Sequence, residues 1–367
     1  MRQPIVVKIG SSSLTTAEGG LNRSSIEFYA AEAVRLIGEG YPVLIVTSAA
    51  VAAGFRRIGY GARPRAVHEK QAAAAVGQAL LMQAYNEAFG RHGRVVAQLL
   101  LTRSDFSDRK RIHNARMTLD ELLRHSVVPI INENDTVATD ELKFGDNDTL
   151  SALVANLVKA ERLVIVTDTD GLYTADPRKN SGARRIDRVE RIDETVYRIA
   201  GGAGTAVGTG GMRSKIEAAR IATRGGVPVF VGKVAEPGDL LKAVRGDGKG
   251  TYFDTSLQTL SMKKQWVGFH SKPAGTIYVD EGAARALTEG HKSLLPAGVV
   301  RIDGDFHPGD VVEVSGPGLK PLGRGVVNYA AWQLQAAAGL SLEEVRMRID
   351  GQLAEVIHRD EWVAYEQ

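Results

Sequence analysis

The chain has 367 residues, 44% of them hydrophobic, with 46 Lys plus Arg against 43 Asp plus Glu. At roughly 150 residues per domain this length calls for two domains or three and excludes a single small binding module, while the hydrophobic share excludes a disordered chain. A net charge of +3 is too small for a protein that wraps a polyanion, and the absence of cysteine removes disulfides, thiolate metal sites and Cys nucleophiles together.

In chain order, the first apolar run, Ile5-Val6-Val7, meets Lys8 at once. It cannot serve as the apolar stretch of a signal peptide, so a cytoplasmic protein is expected. It reads instead as the first of six short β-branched runs that predict buried strands: Ile5 to Ile9, Val43 to Thr47, Val95 to Leu101, Val127 to Ile131, Leu163 to Thr167 and Val227 to Val231. Helical stretches lie between most of them, at Ser24 to Glu39, Arg65 to Phe89, Asp108 to Arg124, Asp148 to Lys159 and Met212 to Arg224. The longest apolar stretch, around Val43 to Phe55, is broken by Thr47, Ser48 and Gly54 and falls short of the ~20 residues of a spanning helix, so no membrane segment is expected. Strand alternating with helix predicts an α/β fold with a doubly wound, mainly parallel sheet.

Past Val231 the pattern changes. Lys233 to Lys272 predicts one short helix, Gly238 to Arg245, followed by Gly/Asp/Lys-rich and Ser/Thr-rich stretches. From Ala274 onward, short strands at Thr276 to Val279, Val299 to Ile302 and Val311 to Val314 alternate with Gly/Pro turns, which predicts a small β-rich barrel. The expected organisation is a first domain over 1–260, a linker over 261–273, a β-rich domain over 274–352 and a tail over 353–367. Ala274 to Gly351 holds seven basic and ten acidic residues, net −3, against +9 over Met1 to Pro273.

In doubly wound sheets, ligands bind beyond the carboxyl ends of the strands. Here those ends are followed by Gly10-Ser11-Ser12-Ser13, Ser48-Ala49-Ala50, Asn132-Glu133-Asn134-Asp135 and Asp168-Thr169-Asp170-Gly171. The glycine-rich segment Gly201 to Gly211 runs into the helix at Met212, which suits a phosphate-binding helix start. Lys8 interrupts an apolar strand just before a Gly-Ser loop. Taken alone it reads equally as a strand-edge lysine with its head in water. Lys215, in the first turn of the Met212 helix, taken alone reads as a solvated surface residue. Two lysines beside Gly-rich turns on one rim would form a positive clamp on a polyphosphate. Neither G-x-G-x-x-G nor G-x-x-x-x-G-K-[ST] occurs, which disfavours a dehydrogenase or a P-loop ATPase. One Asn/Asp cluster is explained by turns and caps; two of them, Asn132 to Asp135 and Gly145-Asp146-Asn147-Asp148, beside a lysine pair suit a zwitterionic substrate and a Mg-nucleotide better.

The strings Val7-Lys8-Ile9-Gly10-Ser11-Ser12, Val46-Thr47-Ser48-Ala49-Ala50-Val51-Ala52-Ala53-Gly54, Ile131-Asn132-Glu133-Asn134-Asp135, Gly145-Asp146-Asn147-Asp148, Thr167-Asp168, Gly171-Leu172-Tyr173-Thr174-Ala175-Asp176-Pro177 and Thr209-Gly210-Gly211-Met212 resemble the glutamate-phosphorylating bacterial branch of the amino-acid kinase family. The likeness runs over nearly the whole chain and includes a C-terminal domain similar to the PUA fold. It implies an ATP-dependent phosphotransferase that acts on the side-chain carboxylate of L-glutamate, the first step toward proline. Its residues would be Lys8 and Lys215 neutralising the transferring group, with Asp148 orienting them. Ser48, Ala49, Asp135 and Asn147 would form the glutamate pocket. Lys8, Gly10, Thr167, Asp168, Thr209, Gly210, Gly211, Met212, Arg213, Ser214 and Lys215 would hold ATP, with Mg²⁺ on the phosphates and no protein ligand for it assigned. The resemblance also implies inhibition by proline, a homo-oligomer and contact with the next enzyme, glutamyl phosphate reductase; nucleic acid is not an expected partner. Ala49 departs from the family's usual Gly, and would be strained if its turn needs a positive φ. Asp170 stands where the family often carries a basic residue. Two other readings stay open: a regulatory or RNA-binding protein whose kinase domain only senses metabolites, and a related kinase acting on aspartate, acetylglutamate or UMP. Asp135, an anion suited to a free α-ammonium, speaks against acetylglutamate.

Overall fold

The computed structural model describes residues 2–16, 19–138, 147–175, 177, 180–200, 211–255, 264, 267–268, 271, 273–348 and 355–365. The chain divides into two compact units, Met1–Thr259 and Leu260–Gln367.

In the first unit the described elements run β1 (Ile5–Ile9), α1 (Ser11–Leu14), α2 (Arg23–Gly38), β2 (Val43–Val46), α3 (Ala50–Gly54), α4 (Val67–Gly90), β3 (Val96–Leu101), α5 (Arg103–Ser107), α6 (Arg109–Arg124), β4 (Val128–Glu133), α7 (Asn147–Leu157), β5 (Arg162–Val166), β6 (Arg188–Val189), α8 (Glu194–Ala200), α9 (Met212–Arg224), β7 (Val229–Gly232), α10 (Asp239–Arg245) and β8 (Gly250–Phe253). The eight strands form one sheet in the order β3-β4-β2-β1-β5-β7-β8-β6. Every pairing is parallel except that of β7 with β8. The six predicted strands and the predicted helices are all present, β1 and α9 with the expected bounds. β8 is an addition: Thr251 and Phe253 are buried within a stretch whose Gly and Asp content reads as loop. Asn132 and Glu133 are the last residues of β4 and not part of the loop after it.

Why β1 is central follows from its sequence. A strand covered on both faces must be apolar nearly throughout, and all five of its residues are buried. Side chains alternate across it. Ile5, Val7 and Ile9 enter the large core built with α2, α4 and α10. Val6 and Lys8 therefore face the opposite layer, where α7 packs on β1 and β5 and α9 packs on α7 and β7. This alternation sends the one charged side chain of the strand toward α7.

Close approach sets a second feature. A Cβ on Gly54 would stand 1.9 Å from the Ala73 carbonyl oxygen, and one on Gly77 would stand 1.8 Å from that of Ala50. Only glycine fits either place, and the pair lets α3 and α4 meet backbone to backbone. The loop after β2 is thereby pressed against α4.

The second unit has a five-stranded sheet in the order β10-β9-β11-β12-β13, with β9 (Gly275–Val279), β10 (Val299–Gly304), β11 (Val311–Ser315), β12 (Pro321–Val327) and β13 (Ile357–Ala364). Its core includes Ile277, Phe306, Val312, Val314, Tyr329, Ile357 and Trp362. Part of the stretch expected as a tail is thus a strand, because Ile357, Trp362 and Val363 are buried while β13 pairs antiparallel with β12. Within the expected linker, Val267 packs with Val311, Val326 and Val363. No helix among the described residues is long and apolar enough to cross a membrane.

Candidate active site

The carboxyl end of β1, the first turn of α7 and the first turn of α9 meet at one point. The Lys8 ammonium forms an ion pair with Asp148 Oδ1, and Lys215 Nζ lies 3.1 Å from Asp148 Oδ2. Ser214 Oγ stands 2.9 Å from the same Oδ2 and 2.8 Å from the Gly211 carbonyl. All three charged groups are buried: Lys8 is 4% exposed, Lys215 8% and Asp148 0%. Burial alone pushes the Asp148 carboxyl up. The Lys8 and Lys215 ammoniums, with hydrogen bonds from Lys8 and Ser214, outweigh it and hold the group below its ordinary 3.8. Asp148 is therefore ionised at neutral pH, and the three groups together carry one positive charge in excess. A cluster of that sign, out of water, favours an anion beside it.

Gly10 follows β1 with φ −78° and ψ 163°, a backbone that any residue adopts. A Cβ there would stand 3.4 Å from Lys8 Nζ, in ordinary van der Waals contact with it. At the start of α9, Gly211 caps the helix without a side-chain hydrogen bond. Ser214 N donates back to the Gly211 carbonyl. The N–H groups of Met212 and Arg213 precede any possible intrahelical partner and point out of the helix end, where negative charge is favoured.

A second group of residues surrounds the end of β2. Asn147 Nδ2 lies 2.5 Å from the Thr47 carbonyl, 3.0 Å from Ser48 Oγ and 2.8 Å from Asn132 Oδ1. Thr47 is held in turn by Tyr85, Oγ1 to phenol oxygen 2.9 Å. Ala49 has φ +84° and ψ 7°, so the turn after Ser48 is left-handed and the expected strain on this alanine is present. Asp135 is half-buried in the turn after β4. At the end of β5, Thr167 Oγ1 lies 3.2 Å from Asp168 Oδ1, and Thr167 N donates to the Gly232 carbonyl on β7. Thr209 and Gly210, and with them most of the Gly201 to Gly211 segment, lie outside the described residues, as do Gly145 and Asp146.

Strand order arranges these groups along the rim. β4 and β2 carry Asp135 and Ser48, β5 carries Thr167 and Asp168, and β1 with Lys8 lies between. Asn147 and Asp148 are consecutive in α7 and join the two sides. Of two buried amides behind this site, Asn132 belongs to the expected Asn132 to Asp135 cluster, though with no role of its own assigned, and Gln78 falls outside the site expected from sequence. Asn132 Nδ2 donates to Gln78 Oε1 over 2.9 Å. Gln78 is one of four carboxamides in α4, with Gln71, Gln83 and Asn86, and no feature of the sequence singles it out.

Comparison with known proteins shows the family. The amino acid kinase family profile matches residues 3–233 and the PUA domain profile residues 275–349. The chain belongs to the amino acid kinase family, and it is a kinase carrying a C-terminal PUA domain. It is 48% identical over 364 residues to a Glutamate 5-kinase of Bacillus cereus, covering 99% of both chains. Against a Glutamate 5-kinase of Geobacillus kaustophilus it is 50% identical over 364 residues, covering 99% of this chain and 97% of the relative. Among solved structures, UMP kinase from Bacillus anthracis superposes with a TM-score of 0.50 at 17% identity, over 69% of this chain and 96% of that one, a likeness of fold alone.

Proposed function

We propose that the chain transfers the γ-phosphoryl group of ATP to the side-chain carboxylate of L-glutamate. The observation that carries this reading is the Lys8–Asp148–Lys215 cluster, buried and net positive, set between amide and hydroxyl groups on one side and a helix start on the other. The acceptor explains why no activated Ser, Cys or His is needed. A glutamate side chain, with a reference pKa of about 4.3, is already an anion at neutral pH and attacks the γ-phosphorus without a general base. One carboxylate oxygen forms the new P–O bond as the β–γ bridging bond breaks, giving γ-glutamyl phosphate and ADP. Catalysis then consists of placement and charge neutralisation. Lys8 and Lys215 counter the charge on the transferring group, and Asp148 holds both ammoniums in position. Ser48, Asp135 and Asn147 bind the amino acid, with Asp135 opposite the α-ammonium and Ala49 shaping the pocket. Gly10, Thr167, Asp168 and the Thr209 to Lys215 segment bind ATP. Mg²⁺ would arrive bound to the phosphates and help neutralise their charge, and no protein ligand is assigned to it.

By the same reading the reaction is the first step toward proline in the cytoplasm. Proline inhibits it, the enzyme is a homo-oligomer, and the labile acyl phosphate is taken up by glutamyl phosphate reductase. The test is hydroxylamine trapping, which converts an acyl phosphate to a hydroxamate, with ATP over glutamate, aspartate, acetylglutamate and, by ADP release, UMP. Hydroxamate from glutamate alone is the expected result; turnover of another member in its place refutes the assignment.

A further inference from the structure

The carboxamides behind the site form a chain with one direction. Gln78 Nε2 approaches Gln98 Oε1 at 3.4 Å, Asn132 Nδ2 donates to Gln78 Oε1, and Asn147 Nδ2 donates to Asn132 Oδ1. Each NH₂ faces the next carbonyl. Asn132 Oδ1 also accepts from the Glu133 N–H at 2.9 Å. Gln78, Asn132 and Asn147 are each at most 9% exposed, so water cannot replace a missing partner at little cost.

The direction decides what Asn147 offers a ligand. Its NH₂ has two protons, and the two nearest acceptors are the Thr47 carbonyl and Asn132 Oδ1, with Ser48 Oγ next at 3.0 Å. With those protons directed inward, the group left for the ligand is Oδ1, an acceptor. An acceptor beside an amino acid suits its α-ammonium and repels a carboxylate. Asn147 is held in this orientation by the Thr47 carbonyl together with the Asn132 oxygen, and Asn132 presents that oxygen with Oδ1 on the Glu133 N–H and its NH₂ anchored on Gln78 at the far end.

We infer that Gln78, which does not line the rim itself, is a positioning residue that makes the pocket select a substrate with an α-ammonium. The inference rests on the proposed glutamate reading and deepens it. The close approach of α3 and α4 at Gly54 and Gly77 brings the helix carrying Gln78 against the loop that carries Ser48.

The test compares the intact chain with Gln78→Met, which keeps length and helix preference and removes the acceptor, and with Gln78→Glu, which retains it. Gln78→Ala serves if Met does not fold. The quantities are the KM for glutamate, the competitive Ki of glutarate, which has both carboxylates and no ammonium, the KM for ATP, and kcat. In Gln78→Met the KM for glutamate should rise roughly tenfold, the scale of a hydrogen bond to a charged group. The glutarate Ki, the KM for ATP and kcat should stay close to those of the intact chain, and Gln78→Glu should restore most of the glutamate KM. Equal weakening of glutamate and glutarate, or a Glu variant as impaired as Met, would show mere structural support and overturn the inference. Failure of the intact chain to form hydroxamate from glutamate removes the proposed function itself, and the inference with it.

Discussion

Lys8, Lys215 and Ser214 share the Asp148 carboxylate, so one substitution there changes the charge of the whole cluster. Lys8→Met or Lys215→Met leaves Asp148 with one remaining ammonium, so folding is expected to survive while the transition state loses a charge. We expect kcat to fall by about 10²-fold or more in each, with a much smaller change in glutamate KM. Near-normal turnover in steady-state assays would remove that lysine from the mechanism. Asp135→Asn should act on the other substrate, raising the KM for glutamate and sparing that for ATP, because the charge proposed to face the ammonium is lost. Equal losses for both substrates would move Asp135 out of the amino-acid pocket. Ala49 tests the backbone. At φ +84° an L-residue is disfavoured by about 1–2 kcal/mol relative to glycine, against about 0.4–1 kcal/mol of extra unfolded-state entropy that glycine brings. Ala49→Gly should therefore raise stability or leave it unchanged in denaturant titration, and keep activity. A loss of 0.4 kcal/mol or more, roughly the entropy term alone, would show a loop adapted to alanine.

Helix contacts are the corresponding weak point among the elements. Gly77→Ala would gain helix propensity of about 1 kcal/mol in an isolated helix, yet here its Cβ meets a backbone carbonyl at 1.8 Å that cannot rotate away. Overpacking should dominate, with a net destabilisation of about 1–3 kcal/mol by chemical unfolding and a raised glutamate KM as the Ser48 loop moves. A stabilised variant would mean that α3 and α4 can separate without loss. The same elements show what a sequence makes legible. β1 and α9 are readable because a buried parallel strand and a helix following glycine have local signatures. β13 is hidden by the run His358-Arg359-Asp360-Glu361, whose exposed members mask the buried Ile357, Trp362 and Val363 on the same strand. Lys8 and Lys215 are suggested jointly by the Gly-rich turns beside them, whereas the orienting role of Asp148 is implied by the family resemblance alone. Gln78 has no such signal, since its function depends on Asn132, 54 residues away, and only the packed fold brings the two amides together.

Across the whole molecule, the described catalytic and binding residues proposed above belong to the first unit, which has its own sheet and its own core. Phosphoryl transfer should therefore survive removal of the second unit, with altered assembly or proline response, provided the cut respects the packing. Ending the chain near Lys272 would strip Val267 of Val311, Val326 and Val363 and leave it exposed, so the cut belongs after Thr259. We expect the shortened chain to retain kcat of the same order in the hydroxamate assay; loss of turnover with the fold intact by circular dichroism would make the second unit part of the active enzyme. That unit should also bind RNA weakly. Affinity for RNA draws on counterions released by unpaired basic groups, whereas Ala274 to Gly351 is net −3. Several of its cations are already engaged: Arg285 pairs with Glu281, Arg301 with Asp303, and Arg324 hydrogen-bonds Tyr365, which donates to Glu313. Binding measured on the full chain at physiological salt should be weaker than micromolar. Submicromolar binding that falls steeply as salt rises, and that disappears on cutting after Thr259, would overturn this expectation and assign the second unit an RNA-linked role.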